Sequence, residues 1–252
     1  MLVGAQLYTL RDYVQTEKDF ARTMKKVADM GYTCVQISGA GPLAPKTFRD
    51  ICDANGLKIV LTHTNPDRIV NETEKVIEEH DVMGCDYIGI GGMPGKYRDF
   101  EWYPYFAEDF KEAALKLRAA GKLLMYHNHN FEFMKDQNGV CLIDRLIEDF
   151  AADEMGFTLD TYWVQAGGAD IMKMVKKLHG RLPCVHLKDM YVNGMGIVMA
   201  PVGEGNINFP ALIPAFEEAG TKYMLVEQDT CQESPFICMK KSYDNLKKWG
   251  GK

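Results

Sequence analysis

The run Glu17-Lys18-Asp19-Phe20-Ala21-Arg22-Thr23-Met24-Lys25-Lys26-Val27-Ala28-Asp29-Met30-Gly31-Tyr32-Thr33-Cys34-Val35-Gln36-Ile37-Ser38 decides the fold. Phe20, Met24, Val27 and Met30 recur at three- and four-residue spacing, while Lys18, Arg22 and Lys25 fall on the other side, the pattern of a helix with one buried stripe. Gly31 stops it. Cys34-Val35-Gln36-Ile37 then reads as a short buried strand. The same grammar returns at residues 48–55 before Gly56, 69–83 before Gly84, 106–120 before Gly121 and 209–219 before Gly220. Strands are expected at residues 2–8, 34–38, 58–62, 87–90, 123–127, 156–160, 184–188 and 223–227. Eight units in 252 residues average about 31 residues each, one strand plus the crossover helix that a parallel neighbour requires. The expected fold is α/β, one (β/α)8 TIM barrel over residues 1–252, since no linker or low-complexity tract interrupts the pattern. The competing open doubly wound sheet would carry Gly-x-Gly-x-x-Gly at its first junction, where this chain has Gln6-Leu7-Tyr8-Thr9-Leu10.

Composition narrows the partners. With 46% apolar and 25% charged residues the chain has an ordinary globular make-up, and at this length one core is large enough to need no disulfide or structural metal. A net charge of −6 argues against nucleic acid or an anionic membrane and leaves a small molecule as the expected partner. The seven cysteines form no Cys-x-x-Cys pair and mostly sit in apolar runs, as suits buried thiols in a reducing compartment. The first residues lack a basic segment and an apolar run of signal or membrane-spanning length, so a cytoplasmic protein is expected. A homo-oligomer packed through helix faces is compatible with this reading.

In such barrels the chemistry lies at the carboxyl ends of the strands. There the third expected strand ends in His63, the fifth runs into Tyr126-His127-Asn128-His129-Asn130-Phe131-Glu132, and the sixth ends in Asp160. The seventh holds His186-Leu187-Lys188-Asp189 and the eighth Glu227-Gln228-Asp229. Four of the six histidines are in these segments, whereas His80 and His179 fall in helical segments and read as solvated. Asp160, His186 and Glu227 end successive strands and face the barrel mouth, where charge is costly unless paired or coordinated. With Glu132 they form an oxygen-rich set suited to Mn²⁺ or Mg²⁺, with Zn²⁺, Co²⁺ or Fe²⁺ also compatible. The Gly91-Gly92 and Gly203-Glu204-Gly205-Asn206 runs are candidates for backbone anion binding, although Glu204 argues against an anion in the second. An unphosphorylated substrate is the preferred reading.

Through Gly4-Ala5-Gln6-Leu7-Tyr8-Thr9-Leu10-Arg11-Asp12, the 126–133 run, Leu159-Asp160-Thr161-Tyr162-Trp163-Val164-Gln165-Ala166-Gly167-Gly168, His186-Leu187-Lys188-Asp189 and Pro201-Val202-Gly203-Glu204-Gly205-Asn206-Ile207, the chain resembles the sugar phosphate isomerase/epimerase family of xylose isomerase-like barrels. That resemblance implies metal ligands at Asp160, His186 and Glu227, and a strand-5 glutamate placed at Glu132. Many relatives carry that glutamate at the strand end itself, where this chain has His127, so His127 and His129 stand as alternatives. It also implies Glu132 and Glu227 as the acid/base pair, removing and returning a proton through a metal-stabilised enediolate.

Beside them, Lys188 is a candidate cation for a developing alkoxide, or else a partner for Asp160, Asp189 or Glu204. His63, His127, His129, Trp163 and Gln165 are candidate substrate contacts, the histidines and Trp163 being equally readable as packing. The expected function is a sugar or keto-sugar isomerase/epimerase. The alternative is a lyase or dehydratase acting on a keto-sugar, inosose or 3-keto-glycoside. A sugar binder without chemistry is a third reading.

Overall fold

Along a strand, alternate side chains go to opposite faces, and in a closed barrel one of those faces is the interior. The computed structural model describes residues 1–251. Its strands are β1 (Leu2–Gln6), β2 (Cys34–Ile37), β3 (Lys58–His63), β4 (Tyr87–Ile90), β5 (Leu123–His127), β6 (Met155–Asp160), β7 (Cys184–Leu187), β8 (Asp189–Asn193), β9 (Gly196–Ala200) and β10 (Tyr223–Val226). Eight of them close a parallel barrel in the order β1-β10-β7-β6-β5-β4-β3-β2, and β8 with β9 forms a separate hairpin. The expected (β/α)8 barrel is the fold the chain adopts.

Register carries parity from strand to strand. Leu225 pairs with His186, His186 with Asp160, Cys184 with Thr158, Thr158 with His127, and Gly156 with Met125, so all these side chains share the interior. Toward the amino-terminal end the interior is an apolar plug of Cys34, Val60, Leu61, Met125, Cys184 and Leu225. Toward the carboxyl end it turns polar, with Gln6, Gln36, His127, Thr158, Asp160, His186 and Glu227 all buried. The opposite parity faces the helices. Tyr126 and Phe157 pack edge-to-face 6.3 Å apart, and Phe106 meets Tyr126 at 6.0 Å and Phe150 at 6.3 Å. Each such pair is worth about 0.5–1.5 kcal/mol beyond burial alone.

The helices are α1 (Glu17–Asp29), α2 (Pro45–Ala54), α3 (Pro66–Asn71), α4 (Thr73–Met83), α5 (Tyr103–Ala119), α6 (Leu142–Asp149), α7 (Thr161–Ala166), α8 (Ile171–Lys177), α9 (Phe209–Glu218) and α10 (Pro235–Lys248). Among the described residues, none is long and apolar enough to cross a membrane.

Several expected boundaries shift for local reasons. The first strand stops at Gln6 because its side chain accepts from the Tyr8 amide at 2.9 Å and turns the chain into a 3-10 helix, Leu7–Tyr13. The helix expected over 69–83 is two, broken at Glu72 (φ −130°, ψ 35°), after which the Thr73 hydroxyl donates to the Ile69 carbonyl at 2.7 Å. The hairpin was not expected. Its two-residue turn has Gly194 at φ 63°, the left-handed first position that a type II′ hairpin demands.

His80 is buried rather than solvated. Its Nδ1–H donates to the Val76 carbonyl at 2.7 Å, so Nε2 accepts from the Thr62 hydroxyl at 2.8 Å. His179 is exposed.

Candidate metal centre and catalytic mouth

Four interior residues at the ends of β5, β6, β7 and β10 bring His127, Asp160, His186 and Glu227 together, with one potential ligand atom from each lying within 4.8 Å of the others. All four are buried. His127 donates from Nδ1 to the Gly91 carbonyl at 3.0 Å, and a carbonyl can only accept. Its Nε2 lies 3.1 Å from Asp160 Oδ2, and although burial lowers the imidazole, the Asp160 carboxylate outweighs it and holds His127 above its ordinary value. His186 is fixed in the other sense, its Nε2–H donating to Gln36 Oε1 at 2.6 Å, which leaves the Nδ1 lone pair 2.9 Å from Glu227 Oε2 and 3.9 Å from Asp160 Oδ2. Neither His186 Nδ1 nor Glu227 Oε2 has a hydrogen bond, although the Lys188 ammonium pairs with Glu227 Oε2 at 3.0 Å.

The other carboxylate oxygens are held from behind. Asp160 Oδ1 caps α7 by accepting from the Trp163 amide at 3.0 Å, and Glu227 Oε1 accepts from Gln6 Nε2 at 3.3 Å. Asn128 Oδ1 accepts from the Asp160 amide at 3.0 Å. Outer partners of this kind fix the tautomer and orientation of metal ligands.

A divalent ion fits this donor set. Ligand atoms held about 2.1 Å from one ion lie about 3.0–3.4 Å apart, and the separations of 2.9, 3.1 and 3.9 Å bracket that range. A divalent ion among these atoms would share Asp160 Oδ2 and Glu227 Oε2 with the Lys188 ammonium.

Lys188 enters from the same side of the barrel, two residues beyond His186. Its ammonium lies 3.0 Å from Asp160 Oδ2, 3.0 Å from Glu227 Oε2 and 3.1 Å from Asp229 Oδ2. Burial pushes the Asp160 and Glu227 carboxyls up, but the Lys188 charge and the neighbouring imidazoles outweigh it, and both end below the ordinary range. Burial holds the His186 imidazole low and the His63 imidazole well below its ordinary value. It also pushes the Asp229 carboxyl up to about 6, with the Glu227 charge adding to the rise.

Glu132 is not in the cluster. It lies beyond β5 in a 3-10 turn, Phe131–Phe133, where its Oε1 accepts from the Tyr126 hydroxyl at 2.7 Å and its Oε2 from the His129 amide at 2.8 Å. The inward-facing residue of that segment is His127, so His127 takes the place expected of Glu132. Burial holds the Glu132 carboxyl above its usual range.

The other expected contacts divide. The His63 ring lies tilted 5.3 Å from His127 and 5.7 Å from His186, and His129 lies 4.7 Å from His127 and 5.2 Å from Trp163. His63 Nε2, His129 Nδ1 and Trp163 Nε1 are all buried without a partner. Gln165 is exposed and lines a different depression, with Ile171 and Asn208.

The two glycine runs serve different ends, and the second has no free amides to offer an anion. Gly91 turns its carbonyl to His127, and a Cβ there would lie 2.9 Å from His63 Nδ1. The amides of Gly203, Gly205 and Ile207 are taken by the carboxylate of Asp189, at 2.9, 3.0 and 3.2 Å. Sequence reasoning did not single out Asp229, Gln6 or Gln36, and it offered Asp189 and Glu204 beside Asp160 as partners for Lys188, which pairs with Asp160, Glu227 and Asp229. Gln36 carried a signal, as the one polar residue in an otherwise apolar strand.

The family described as xylose isomerase-like TIM barrel matches residues 24–242. No protein of curated function matches the sequence. A sugar phosphate isomerase/epimerase from Parabacteroides distasonis superposes with a TM-score of 0.82 at 22% identity, covering 97% of this chain and 92% of that one. An L-ribulose 3-epimerase superposes with a TM-score of 0.75 at 15% identity, covering 99% and 94%. A probable 3-DHS dehydratase from Bacillus anthracis gives a TM-score of 0.75 at 12% identity, covering 98% and 99%. At these identities the likeness is one of fold.

Proposed function

Since the chain belongs to the xylose isomerase-like TIM barrel family, we propose that it is a divalent-metal-dependent enzyme that moves a proton at the carbon beside a sugar or keto-sugar carbonyl, as an isomerase or epimerase. One observation carries the reading: His127, Asp160, His186 and Glu227 are all buried and converge at the barrel mouth, with His186 Nδ1 2.9 Å from Glu227 Oε2 and His127 Nε2 3.1 Å from Asp160 Oδ2. Two imidazoles and two carboxylates shift the preferred ion from Mg²⁺ toward Mn²⁺, Fe²⁺, Co²⁺ or Zn²⁺, because nitrogen donors suit the softer cations. A bound ion of this kind supplies Lewis acidity toward a carbonyl and its neighbouring hydroxyl, worth several kcal/mol as negative charge develops there.

The chain's own residues do the rest. Glu227 takes the proton, since its Oε1 is restrained only by the long bond from Gln6. Lys188 places a positive charge on the side of the site where substrate oxygens gather. His63 Nε2, His129 Nδ1 and Trp163 Nε1 have hydrogen-bonding capacity to spare for hydroxyl groups. Asp189 already occupies the amides of the Gly203–Ile207 loop, which supports an uncharged substrate over a phosphorylated one.

Elimination from a keto-sugar, inosose or 3-keto-glycoside is a second reading, favoured by the position of Glu132. With that carboxylate held by the Tyr126 hydroxyl and the His129 amide, the cluster lacks the second glutamate of the expected acid/base pair. Proton removal is then better served than return to the other face. Incubating the metal-loaded protein with a panel of keto-sugars in D2O separates the outcomes. Deuterium uptake without loss of water or aglycone supports the isomerase/epimerase, loss of either supports the lyase, and neither product from any substrate contradicts both.

A further inference from the structure

Lys188 is one of the largest fully buried side chains in the molecule; its ammonium hydrogen-bonds Asp229 Oδ2 at 3.1 Å and forms ion pairs at 3.0 Å with Asp160 Oδ2 and Glu227 Oε2. Two of those oxygens, Asp160 Oδ2 and Glu227 Oε2, are the same atoms that lie 3.1 Å from His127 Nε2 and 2.9 Å from His186 Nδ1. The third, on Asp229, lies nearer the mouth, its side chain 24% exposed. Trp163 offers a further resting place, with its ring centroid 5.6 Å from the ammonium. The backbone of Lys188 cannot follow a moving head group, because its amide donates to the Thr161 hydroxyl at 3.0 Å and its carbonyl accepts from that hydroxyl at 2.8 Å. Any change is confined to the flexible four-carbon stem.

A divalent ion and an ammonium a few ångströms apart in a dry site repel strongly, and both draw on the same two oxygens. We propose that Lys188 is a resident cation that balances Asp160 and Glu227 in the metal-free protein, and that metal loading releases its ammonium to Asp229 on the substrate side. Asp229 is then a positioning residue for Lys188. The inference rests on the metal-dependent reading above.

The test compares wild-type crystals grown without metal and soaked in Mn²⁺, together with Mn²⁺ affinities measured by competition with a chromophoric chelator for wild type, Lys188→Met and Asp229→Asn. In the soaked crystal the Lys188 ammonium is expected beyond hydrogen-bonding distance of Asp160 and Glu227 and still on Asp229. Lys188→Met is expected to bind Mn²⁺ roughly tenfold more tightly or better and to melt lower without metal. Asp229→Asn should bind it more weakly. An ammonium that keeps both ligand oxygens in the soaked crystal, or a folded Lys188→Met that binds no more tightly than wild type, overturns the inference while leaving the metal site standing. If Lys188→Met does not fold, the wild-type crystals decide. Wild type that takes up no divalent ion removes the functional reading, and the inference with it.

Discussion

Replacing Glu132 by Gln separates the two accounts of the fourth ligand. The carboxylate accepts from the Tyr126 hydroxyl at 2.7 Å and the His129 amide at 2.8 Å, and it is fully buried. Glutamine can keep the second bond through its oxygen. Its NH2 then faces Tyr126, whose hydroxyl can rotate from donor to acceptor. What is lost is the charge assistance of two bonds, partly offset by no longer burying an ionised group, for a net cost of about 1 kcal/mol. In a domain of this size that lowers Tm by about 2–4 °C. Because Glu132 lies outside the His127–Asp160–His186–Glu227 cluster, Mn²⁺ affinity should stay within about twofold of wild type, whereas His127→Ala should weaken it by roughly a hundredfold or more. Calorimetric melting and isothermal titration of the two variants side by side make the check. Loss of Mn²⁺ binding in Glu132→Gln with Tm unchanged would refute the assignment and restore Glu132 as a ligand.

Asp160→Asn keeps an oxygen to cap α7 but removes a ligand charge and one partner of Lys188, so it should abolish Mn²⁺ binding while far-UV circular dichroism stays native; retained stoichiometric binding would count against the site. Burial, the largest influence on His80, lowers its imidazole from 6.5 to about 4, so the folded protein resists a proton that the unfolded chain accepts. Stability is therefore lost as pH falls from about 6.5 toward 4, by at most about 3 kcal/mol from this group. Urea titrations at pH 7.5 and 4.5 should show a smaller loss in His80→Gln, and an equal loss in both proteins would contradict this. Asp189→Asn leaves one oxygen for amides now shared by two, among them Gly203 and Gly205, and should cost about 2–4 kcal/mol, seen as a lower melting temperature; an unchanged Tm would show that the loop is held by other contacts.

The barrel was legible because its strands are covered on both sides, by the plug inside and the helices outside, and so read as unbroken apolar runs closed by glycine stops. The hairpin was not, since Asp189–Asn193 and Gly196–Ala200 lie in a connection where the barrel pattern calls only for a helix. Asp160, His186 and Glu227 could be read directly, each sitting at or next to the last residue of a barrel strand. The fourth position turns on parity, and the 126–133 run carries two competing signals. Motif likeness points to Glu132, while counting by twos from Met125 in the plug points to His127, and the pleat follows the count. His80 escaped because an imidazole satisfied at both nitrogens can be buried neutral, which helical spacing alone does not reveal. Asp229 escaped because its role depends on where the ammonium of Lys188 comes to rest, a contact between residues 41 positions apart.

Anomalous diffraction from Mn²⁺-soaked crystals tests the central claim most directly. One strong peak is expected at the barrel mouth, about 2.0–2.2 Å from His127 Nε2, Asp160 Oδ2, His186 Nδ1 and Glu227 Oε2. No peak at full soak, or a peak bonded to Glu132 with His127 left on Asp160, would contradict it.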